Sequence, residues 1–266
     1  MISINNVKGA VFDVDETLLD TGLTRFGSAK DGLHEQARLQ AIREAGQRHN
    51  IAQLVAITPE ENARAFLEAP VHTLDSVLWH TLYTCGIVAT DEAEPDNPLL
   101  QELIARKDEL FEDLLRTKGK PFPGACEFVW WLATNGLGKH LAIASSAIRR
   151  DIDIFLDIAN LGEYFPPEHI ISKEKVTHAK PNPEAFDKAF LMLGLPESDR
   201  SQVLAFEDNS RGVMSAKGAG LFTCAITTVL TREQLAALTV PPDLIADSYD
   251  EFHELLSKPG IAAAAS

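Results

Sequence analysis

The sequence predicts an α/β protein in which a doubly wound parallel sheet is interrupted by an inserted all-α segment. Short apolar runs rich in β-branched residues alternate with segments of helical spacing, a pattern typical of a parallel sheet with helices on both faces. From about Thr21 to Lys120 the alternation stops, and helical spacing continues without a convincing strand. The predicted domains are therefore an α/β core, residues 1–20 and 121–266, and a helical cap, residues 21–120.

The composition is that of a globular protein. The chain has 266 residues, of which 45% are hydrophobic and 24% charged, and this argues against disorder. Its 24 Lys and Arg against 39 Asp and Glu give a net charge of −15, which disfavours a broad nucleic-acid surface. No apolar stretch approaches the roughly 18 residues of a membrane span, and no secretion signal is visible. The widely spaced Cys85, Cys126 and Cys224 are typical of buried thiols in a reducing compartment.

These observations disfavour nucleic acids and membranes as partners. We expect a cytoplasmic protein, a monomer or a homodimer, that binds neither nucleic acid nor membrane. The charge does not exclude an anionic substrate, because a metal ion and a few local cations can reverse the field inside one cleft.

The first predicted strand, Lys8–Asp15, is a short apolar run that ends in acidic residues. It reads as a buried parallel strand with carboxylates at its C-terminal end. The later predicted strands are His140–Ser145, His169–Ser172, Val203–Glu207, Phe222–Ile226 and Leu244–Ala246. Because ligands of such sheets bind at the C-terminal strand ends, we expect the functional site there.

Helical spacing predicts five core helices and four cap helices. Those of the core are Ala125–Thr134, Ile148–Ala159, Pro183–Leu193, Ser210–Ala219 and Arg232–Leu238. Those of the cap are Gly32–Asn50, Pro59–Glu68, Leu74–Cys85 and Pro98–Lys118. The predicted hinges are Leu19–Gly22 and Gly119–Gly124, the second of which is rich in turn formers. Core-helix spacing predicts that Trp130 and Trp131 pack inside.

The strongest chemical signal is Asp13-Val-Asp-Glu-Thr17, at the end of the first strand. Side chains alternate along a strand, so Asp13 and Asp15 project to the same side. Two carboxylates this close repel each other, and a bound cation relieves the repulsion. Mg²⁺ suits this position because it prefers oxygen ligands. The alternative is an acid pair that only caps a turn or meets a surface lysine.

Three further segments place polar side chains at strand ends of the same sheet. Ser145 and Ser146 follow the second strand, where a hydroxyl can hold a phosphoryl oxygen or simply cap a helix. Lys180 precedes a predicted helix and would otherwise be an ordinary solvated lysine. Glu207 and Asp208 end the fourth core strand, where acids also cap helices. The combination in this order points to one site.

With these four motifs, the sequence resembles the haloacid dehalogenase-like hydrolase superfamily over residues 8–20 and 121–252, which implies its Rossmann-like core. The segment Glu207–Gly220 is similar to the fourth motif of the β-phosphoglucomutase and phosphoglycolate phosphatase-like branch. A helical insert directly after the first motif is the cap position of that branch.

The resemblance implies a role for each matching residue. Asp13 would be the nucleophile, and Asp15 would protonate the leaving oxygen and later activate water. The implied Mg²⁺ ligands are Asp13, Asp208, the backbone carbonyl of Asp15 and, through water, Glu207. Ser145 and Lys180 would hold the phosphoryl group, and Thr17 would support the first loop.

Asp15 discriminates between members of the superfamily. Dehalogenases lack an acid at the matching position because a halide leaving group needs no proton, so Asp15 favours an oxygen leaving group. Glu16 departs from the branch, in which glycine is frequent at this position, and we expect only a local effect on the loop.

Cap residues are weaker candidates for substrate contacts. Arg25 is the first, and it could equally be a surface charge. Ser146 and Thr17 are further candidates from the core. The other polar candidates of the cap each have a plainer interpretation. His72 and His80 are predicted to be packed or half-exposed, whereas Arg106 and Lys107 are predicted on a solvated, ion-paired face. Arg149-Arg150 could attract an anion or begin a helix.

The sequence thus predicts a Mg²⁺-dependent phosphatase that hydrolyses a small phosphorylated metabolite, a sugar phosphate or a phosphoglycolate-like compound, through an aspartyl-phosphate. The alternative is a β-phosphoglucomutase-like phosphomutase, although the Arg-containing cap signature of such mutases is not found in residues 21–120. A third alternative is a binding protein that keeps the fold without turnover.

Overall fold

The computed structural model describes residues 2–22, 32–71 and 73–258. The chain forms two compact units. The α/β unit comprises Met1–Asp20 and Gly119–Ser266, and the helical unit comprises Thr21–Lys118. Among the described residues, no helix has both the length and the apolar character that crossing a membrane requires.

The two units contain the following elements in chain order. The strands are β1 (Gly9–Phe12), β2 (Leu19–Asp20), β3 (Lys120–Pro121), β4 (Leu141–Ala144), β5 (Ile170–Ile171), β6 (Val203–Glu207), β7 (Phe222–Ile226) and β8 (Leu244–Ala246). The helices are α1 (Leu33–His49), α2 (Ala52–Ala56), α3 (Pro59–Glu68), α4 (Leu74–Thr84), α5 (Pro98–Lys118), α6 (Ala125–Leu132), α7 (Arg149–Ala159), α8 (Glu184–Met192), α9 (Ser210–Gly218), α10 (Arg232–Ala236) and α11 (Tyr249–Ser257).

Six strands form one parallel sheet in the order β5-β4-β1-β6-β7-β8. β1 lies in the middle, with Ala10 in register with Leu141 of β4 and with Leu204 of β6. The order reverses on the two sides of β1, so the site predicted at the strand ends falls at a topological switch point. The predicted α/β class and its parallel sheet are confirmed.

Successive residues of β1 show how both faces of the sheet are buried. Val11 belongs to an apolar cluster with Phe186 of α8. The next residue, Phe12, points to the other face and stacks on Phe206 at 4.6 Å between ring centroids. Phe128 of α6 meets Phe206 edge-on at 5.3 Å. Burial on both faces explains why the strands read as continuous apolar runs.

The helical unit has its own apolar core. Its members come mainly from α1, α2, α4 and α5, with the fully buried Leu82 and Leu103 among them. α3 begins with a capping box, because Thr58 accepts from the Glu61 amide and the Glu61 carboxylate accepts from the Thr58 amide. The four predicted cap helices are present, and the short α2 is an addition to the prediction.

Two short elements lie where the sequence predicts only hinges. β2 and β3 pair antiparallel, with Leu19 opposite Pro121 and Asp20 opposite Lys120. Lys120 also forms an ion pair with Asp20 at 3.2 Å. The predicted hinge segments therefore contain a two-stranded ribbon that joins the two places where the chain crosses between the units.

Two packing predictions are wrong in part. Trp130 is 57% exposed, and only Trp131 of the pair packs, against Phe128 and His253. The reason is that α6 buries the face that carries Phe128 and Val129, and Trp130 projects away from it. Of the three thiols, only Cys224 is fully buried, and the other two are half-buried; none is in a disulfide.

Candidate active site

The ends of three neighbouring strands carry the predicted site residues. Asp13 follows β1, Ser145 follows β4, and Glu207 ends β6. The sheet continues one residue beyond β1, since the Asp13 amide donates to the Phe206 carbonyl at 3.0 Å. By strand alternation, Asp13 lies on the same face as Val11, the face covered by α8. Lys180 precedes α8 on that face.

Lys180 is the centre of the site. Its ammonium donates to Asp13 Oδ1 at 2.6 Å, to Glu207 Oε1 at 2.6 Å and to the Ala144 carbonyl at 2.9 Å. An ammonium has three donors, so these three acceptors satisfy it completely. The residue is only 7% exposed. Burial lowers the pKa of Lys180, but the charges of Asp13 and Glu207 outweigh burial and hold the pKa above its ordinary value. Lys180 is therefore a permanent cation that joins three strand ends.

The two acidic residues at the end of β6, Glu207 and Asp208, have different hydrogen-bond partners. Glu207 Oε2 accepts from the Asp208 amide at 3.2 Å, while its Oε1 binds Lys180. Asp208 Oδ1 accepts from Asn209 Nδ2 at 2.9 Å and from the Thr17 hydroxyl at 3.4 Å. Thr17 thus connects the loop after β1 to the acidic pair.

Carboxylate oxygens of Asp13, Glu207 and Asp208 lie within 4.8 Å of one another, and all three residues are buried. Burial, and then the charges of Glu207 and Asp13, raise the pKa of Asp208 well above its ordinary value. Burial also raises the pKa of Asp13, against the lowering effect of Lys180. When all three are ionised, the carboxylates carry more negative charge than Lys180 compensates. An all-oxygen donor set with this excess fits a hard divalent cation such as Mg²⁺.

The loop after β1 is held by hydrogen bonds from other parts of the α/β unit. The Glu16 backbone has φ +58°, a left-handed conformation that favours glycine, the residue that the resemblance leads one to expect at this position. The Thr228 hydroxyl donates to the Glu16 carbonyl at 2.6 Å, and the Tyr249 hydroxyl donates to the Thr17 carbonyl at 2.9 Å. Asp15 is half-buried, and its charge helps to raise the pKa of Asp13. It is not a member of the carboxylate cluster.

The two serines after β4 differ in exposure. Ser145 is buried, its amide donates to the Ile171 carbonyl at 2.9 Å, and its hydroxyl accepts from the Ala147 amide at 3.1 Å. It directly follows Ala144, whose carbonyl binds Lys180. Ser146 is exposed. The hydroxyl of Ser145 closes a local turn before α7, and its contact with a phosphoryl oxygen stays a prediction.

The cap candidates fall into three groups. Arg25 and His72 lie outside the described residues. His80 is buried and pairs with Asp91 at 2.8 Å, as expected for a packed histidine. Arg106 forms ion pairs with its neighbours, as predicted.

Lys107 contradicts the prediction of a solvated face. It is 7% exposed, and its ammonium lies 4.6 Å from the Phe111 ring centroid. The ammonium thus makes a cation–π contact on α5 as well as an ion pair with Asp108 at 3.2 Å, and both partners are compatible with its burial.

Arg149, the first residue of α7, binds Asp153 at 2.8 Å and the Pro167 carbonyl at 3.1 Å. These contacts fit the plainer interpretation of a helix start.

Sequence reasoning missed the residues that support the site. Tyr249 and Thr228 act through backbone carbonyls of the first loop, and Arg211 acts through the backbone carbonyl of Lys180. No pattern in the sequence marks a donor to a distant carbonyl. Gly212 carried a signal within the fourth motif: a Cβ there would lie 1.9 Å from the Glu207 carboxylate, so only glycine allows that close approach.

Comparisons with known proteins agree with the geometry. The family model of the haloacid dehalogenase-like hydrolases matches residues 7–220. Among curated proteins, SUPPRESSOR OF QUENCHING 1, chloroplastic, of Arabidopsis thaliana is 33% identical over 148 residues, which are 54% of this chain and 13% of that protein. Pyrophosphatase PpaX of Anoxybacillus flavithermus is 29% identical over 120 residues, 45% of this chain and 53% of that protein. The chain thus spans about half, or less, of these two relatives.

A solved structure shares the fold. The HAD hydrolase of family IA, variant 3, from Entamoeba histolytica superposes with a TM-score of 0.70 at 21% identity, over 94% of this chain and 97% of that one. The family model covers most of the chain, including all four motifs of the site. This protein therefore belongs to the haloacid dehalogenase-like hydrolase family.

Proposed function

We propose that the protein is a Mg²⁺-dependent phosphatase that hydrolyses a small phosphorylated metabolite through an aspartyl-phosphate. One observation carries the proposal: a buried carboxylate, Asp13, is held by a buried cation, Lys180, beside the acidic pair Glu207 and Asp208. A nucleophile, a charge-compensating cation and oxygen ligands for a metal ion are the groups that phosphoryl transfer requires.

In the first step, a carboxylate oxygen of Asp13 attacks phosphorus. The new bond joins Asp13 to phosphorus, and the bond from phosphorus to the ester oxygen breaks. Asp15 gives its proton to that leaving oxygen, which departs as an alcohol. General acid catalysis of this kind typically contributes about 10²–10⁴-fold.

In the second step, water attacks the phosphorus of the aspartyl-phosphate. Asp15, now a carboxylate, accepts the proton of the water, and the bond from phosphorus to Asp13 breaks. The products are inorganic phosphate and the original Asp13 carboxylate, so the enzyme returns to its starting state. A carboxylate nucleophile in this way divides one difficult hydrolysis into two easier steps.

Ser145 would hold a phosphoryl oxygen during both steps, and Lys180 would do the same by exchanging one of its three present acceptors for a phosphoryl oxygen. Lys180 keeps its charge because Asp13 and Glu207 raise its pKa, so it can compensate the charge that gathers on the phosphoryl group. Asp13, Asp208 and, through water, Glu207 would hold the metal together with the backbone carbonyl of Asp15. When bound, Mg²⁺ would supply positive charge to the oxygens of the phosphoryl group. Thr17 supports this arrangement through Asp208.

The substrate class is proposed from the same site and from the relatives. A phosphorylated small molecule fits a site built for one phosphoryl group, and one relative is named a pyrophosphatase. Ser146, and Arg25 outside the described residues, remain candidates for contacts with the rest of the substrate. We expect a sugar phosphate or a phosphoglycolate-like compound.

The test measures phosphate release by the purified full chain with Mg²⁺. The panel contains an aryl phosphate, pyrophosphate, phosphoglycolate and sugar phosphates including β-glucose 1-phosphate. The wild type should release phosphate, and Asp13→Asn should lower kcat by at least about 10³-fold because the amide is not a nucleophile. Asp153→Asn, a change at an ion pair on the surface of α7, should keep wild-type activity.

Two results would overturn the proposal. Retained activity in Asp13→Asn would remove the nucleophile. Conversion of β-glucose 1-phosphate to glucose 6-phosphate without net phosphate would identify a mutase instead.

A further inference from the structure

The segment from Thr177 to Pro183, here called the lysine loop, carries Lys180 and is bound to two helices. At its start, the Glu184 carboxylate accepts from the amides of Thr177 and His178, at 2.9 and 2.8 Å. Glu184 is the first residue of α8, so the loop is folded back onto the helix that follows it. These contacts hold the start of the loop against α8, and the position of its centre depends on other groups.

The centre of the lysine loop is bound by α9. The Arg211 side chain donates from both Nε and Nη2 to the backbone carbonyl of Lys180, with Nε at 3.0 Å. One turn further along the helix, the Ser215 hydroxyl donates to the Asn182 carbonyl at 2.6 Å. Two side chains on one face of α9 therefore hold two carbonyls of the loop.

We infer that Arg211 is a positioning residue for Lys180, an inference that rests on the proposed function. α9 starts two residues after Asp208, so Arg211 ties the main chain of Lys180 to the element that carries the acidic pair. The Lys180 ammonium must reach Asp13, Glu207 and a β4 carbonyl together, and this requires its Cα to be fixed relative to all three strands. A planar guanidinium that meets one carbonyl with two donors fixes direction as well as distance.

Arg211 contacts the carbonyl of Lys180 and not its ammonium, so it acts on the placement of the side chain. A merely structural arginine would stabilise α9 without affecting Lys180 in particular. Arg200 provides the matched comparison. It donates to the Ala219 carbonyl, at the other end of α9, at 2.8 Å and pairs with Asp187 at 2.7 Å. Arg200→Ala thus removes the same charge and a similar contact from the same helix.

The first measurement does not depend on catalysis. Full-length wild type, Arg211→Ala, Arg211→Lys and Arg200→Ala are pulsed with an amine-acetylating reagent, and acetylation of Lys180 is quantified by peptide mass spectrometry. In the wild type, the buried, fully bonded Lys180 should react slowly. In Arg211→Ala its reaction should be several-fold faster, and Arg211→Lys, which keeps one donor, should be intermediate. Arg200→Ala should match the wild type at Lys180.

The second measurement is kcat and KM for an aryl phosphate with Mg²⁺. Arg211→Ala should lower kcat by about tenfold, since small misplacements of a catalytic group cost this much or more. Equal Lys180 acetylation in wild type and Arg211→Ala, or an equal rise in Arg200→Ala, overturns the inference. If the wild type is inactive while acetylation responds as expected, the proposed function fails and the positioning of Lys180 by Arg211 stands. If the wild type is active and neither readout changes, the proposed function stands and the inference fails.

Discussion

Gly212 shows how one residue type determines the shape of the site. It lies in the first turn of α9, against the Glu207 carboxylate. An added Cβ would be 1.9 Å from Glu207 Cδ and Oε2, well inside any permitted contact. Glu207 is fully buried and bound to Lys180, so it has no room to retreat. The requirement is one of space, since Gly212 does not need a left-handed backbone.

Gly212→Ala should therefore lower both the stability of the protein and its catalytic rate. We expect the free energy of unfolding to fall by about 1–3 kcal/mol, the usual range for overpacking, and kcat to fall because Glu207 and Lys180 shift together. Urea unfolding and phosphate release would measure the two effects. Gly218→Ala, in the same helix, is the control: its Cβ would meet Pro183 at an ordinary 3.4 Å. It should be neutral or stabilising by up to about 1 kcal/mol, because alanine favours helix. Similar losses in both variants would contradict the steric explanation.

At the level of residues, the predicted side chains that the structure shows together are those of Asp13, Lys180, Glu207 and Asp208. The sequence did not predict what holds them in place. Asp13, Glu207 and Asp208 are brought together because strand ends of one parallel sheet share an edge, and strand ends can be read from apolar runs. Lys180 could be singled out only through its combination with the other three motifs, since a lysine before a proline has no local signature. Ser215 and Arg211 could not be predicted, because their partners are carbonyls of a distant loop.

At the level of elements, the prediction was best where burial is complete. Every strand of the parallel sheet was found because both of its faces are covered, and the runs are apolar throughout. The β2–β3 ribbon was missed because two-residue strands leave no periodic pattern. α11 was missed although it has a usable signal: Ser248 caps it by accepting from the Glu251 amide.

The missed helix α11 supports the loop after β1, and this can be tested. Burial, followed by the charges of Asp13 and Asp208, raises the pKa of Tyr249, so its hydroxyl stays protonated and donates to the Thr17 carbonyl. Tyr249→Phe leaves that buried carbonyl without this donor. We expect a loss of about 1–3 kcal/mol in the free energy of unfolding, measured in urea.

Tyr164→Phe is the matched control for that loss. The Tyr164 hydroxyl bonds to the exposed Glu163, where water can replace the lost contact. Its free energy of unfolding should stay within about 0.5 kcal/mol of wild type. A Tyr249→Phe protein as stable as this control would show that the hydrogen bond to the loop contributes nothing.

At the scale of the whole molecule, acidic residues outnumber basic ones over the full sequence, and they also form the buried cluster of the site. The net charge of −15 repels anions at long range, and salt screens that repulsion beyond about 8–10 Å. Inside the site, burial reduces this screening, and burial together with mutual repulsion opposes the ionisation of Asp13 and Asp208 and raises their pKa values. Lys180 offsets part of this repulsion. The repulsion that Lys180 does not offset should lower the free energy of unfolding of the metal-free protein.

A divalent cation should recover that stability. Mg²⁺ at about a hundred times its Kd should raise the free energy of unfolding by about 2.7 kcal/mol, because it binds the folded state only. Asp208→Asn separates repulsion from binding. The amide oxygen can still accept from Asn209, but the buried carboxyl, whose ionisation is opposed by burial and by Glu207 and Asp13, is gone. The metal-free variant should therefore be more stable than wild type, while its gain from Mg²⁺ shrinks. Asp153→Asn should keep the full gain. The free energy of unfolding is measured in urea for each protein with and without Mg²⁺. Two results would show that the acidic cluster is not held together by charge compensation: an Asp208→Asn protein less stable than wild type without metal, or one that gains as much stability from Mg²⁺ as wild type.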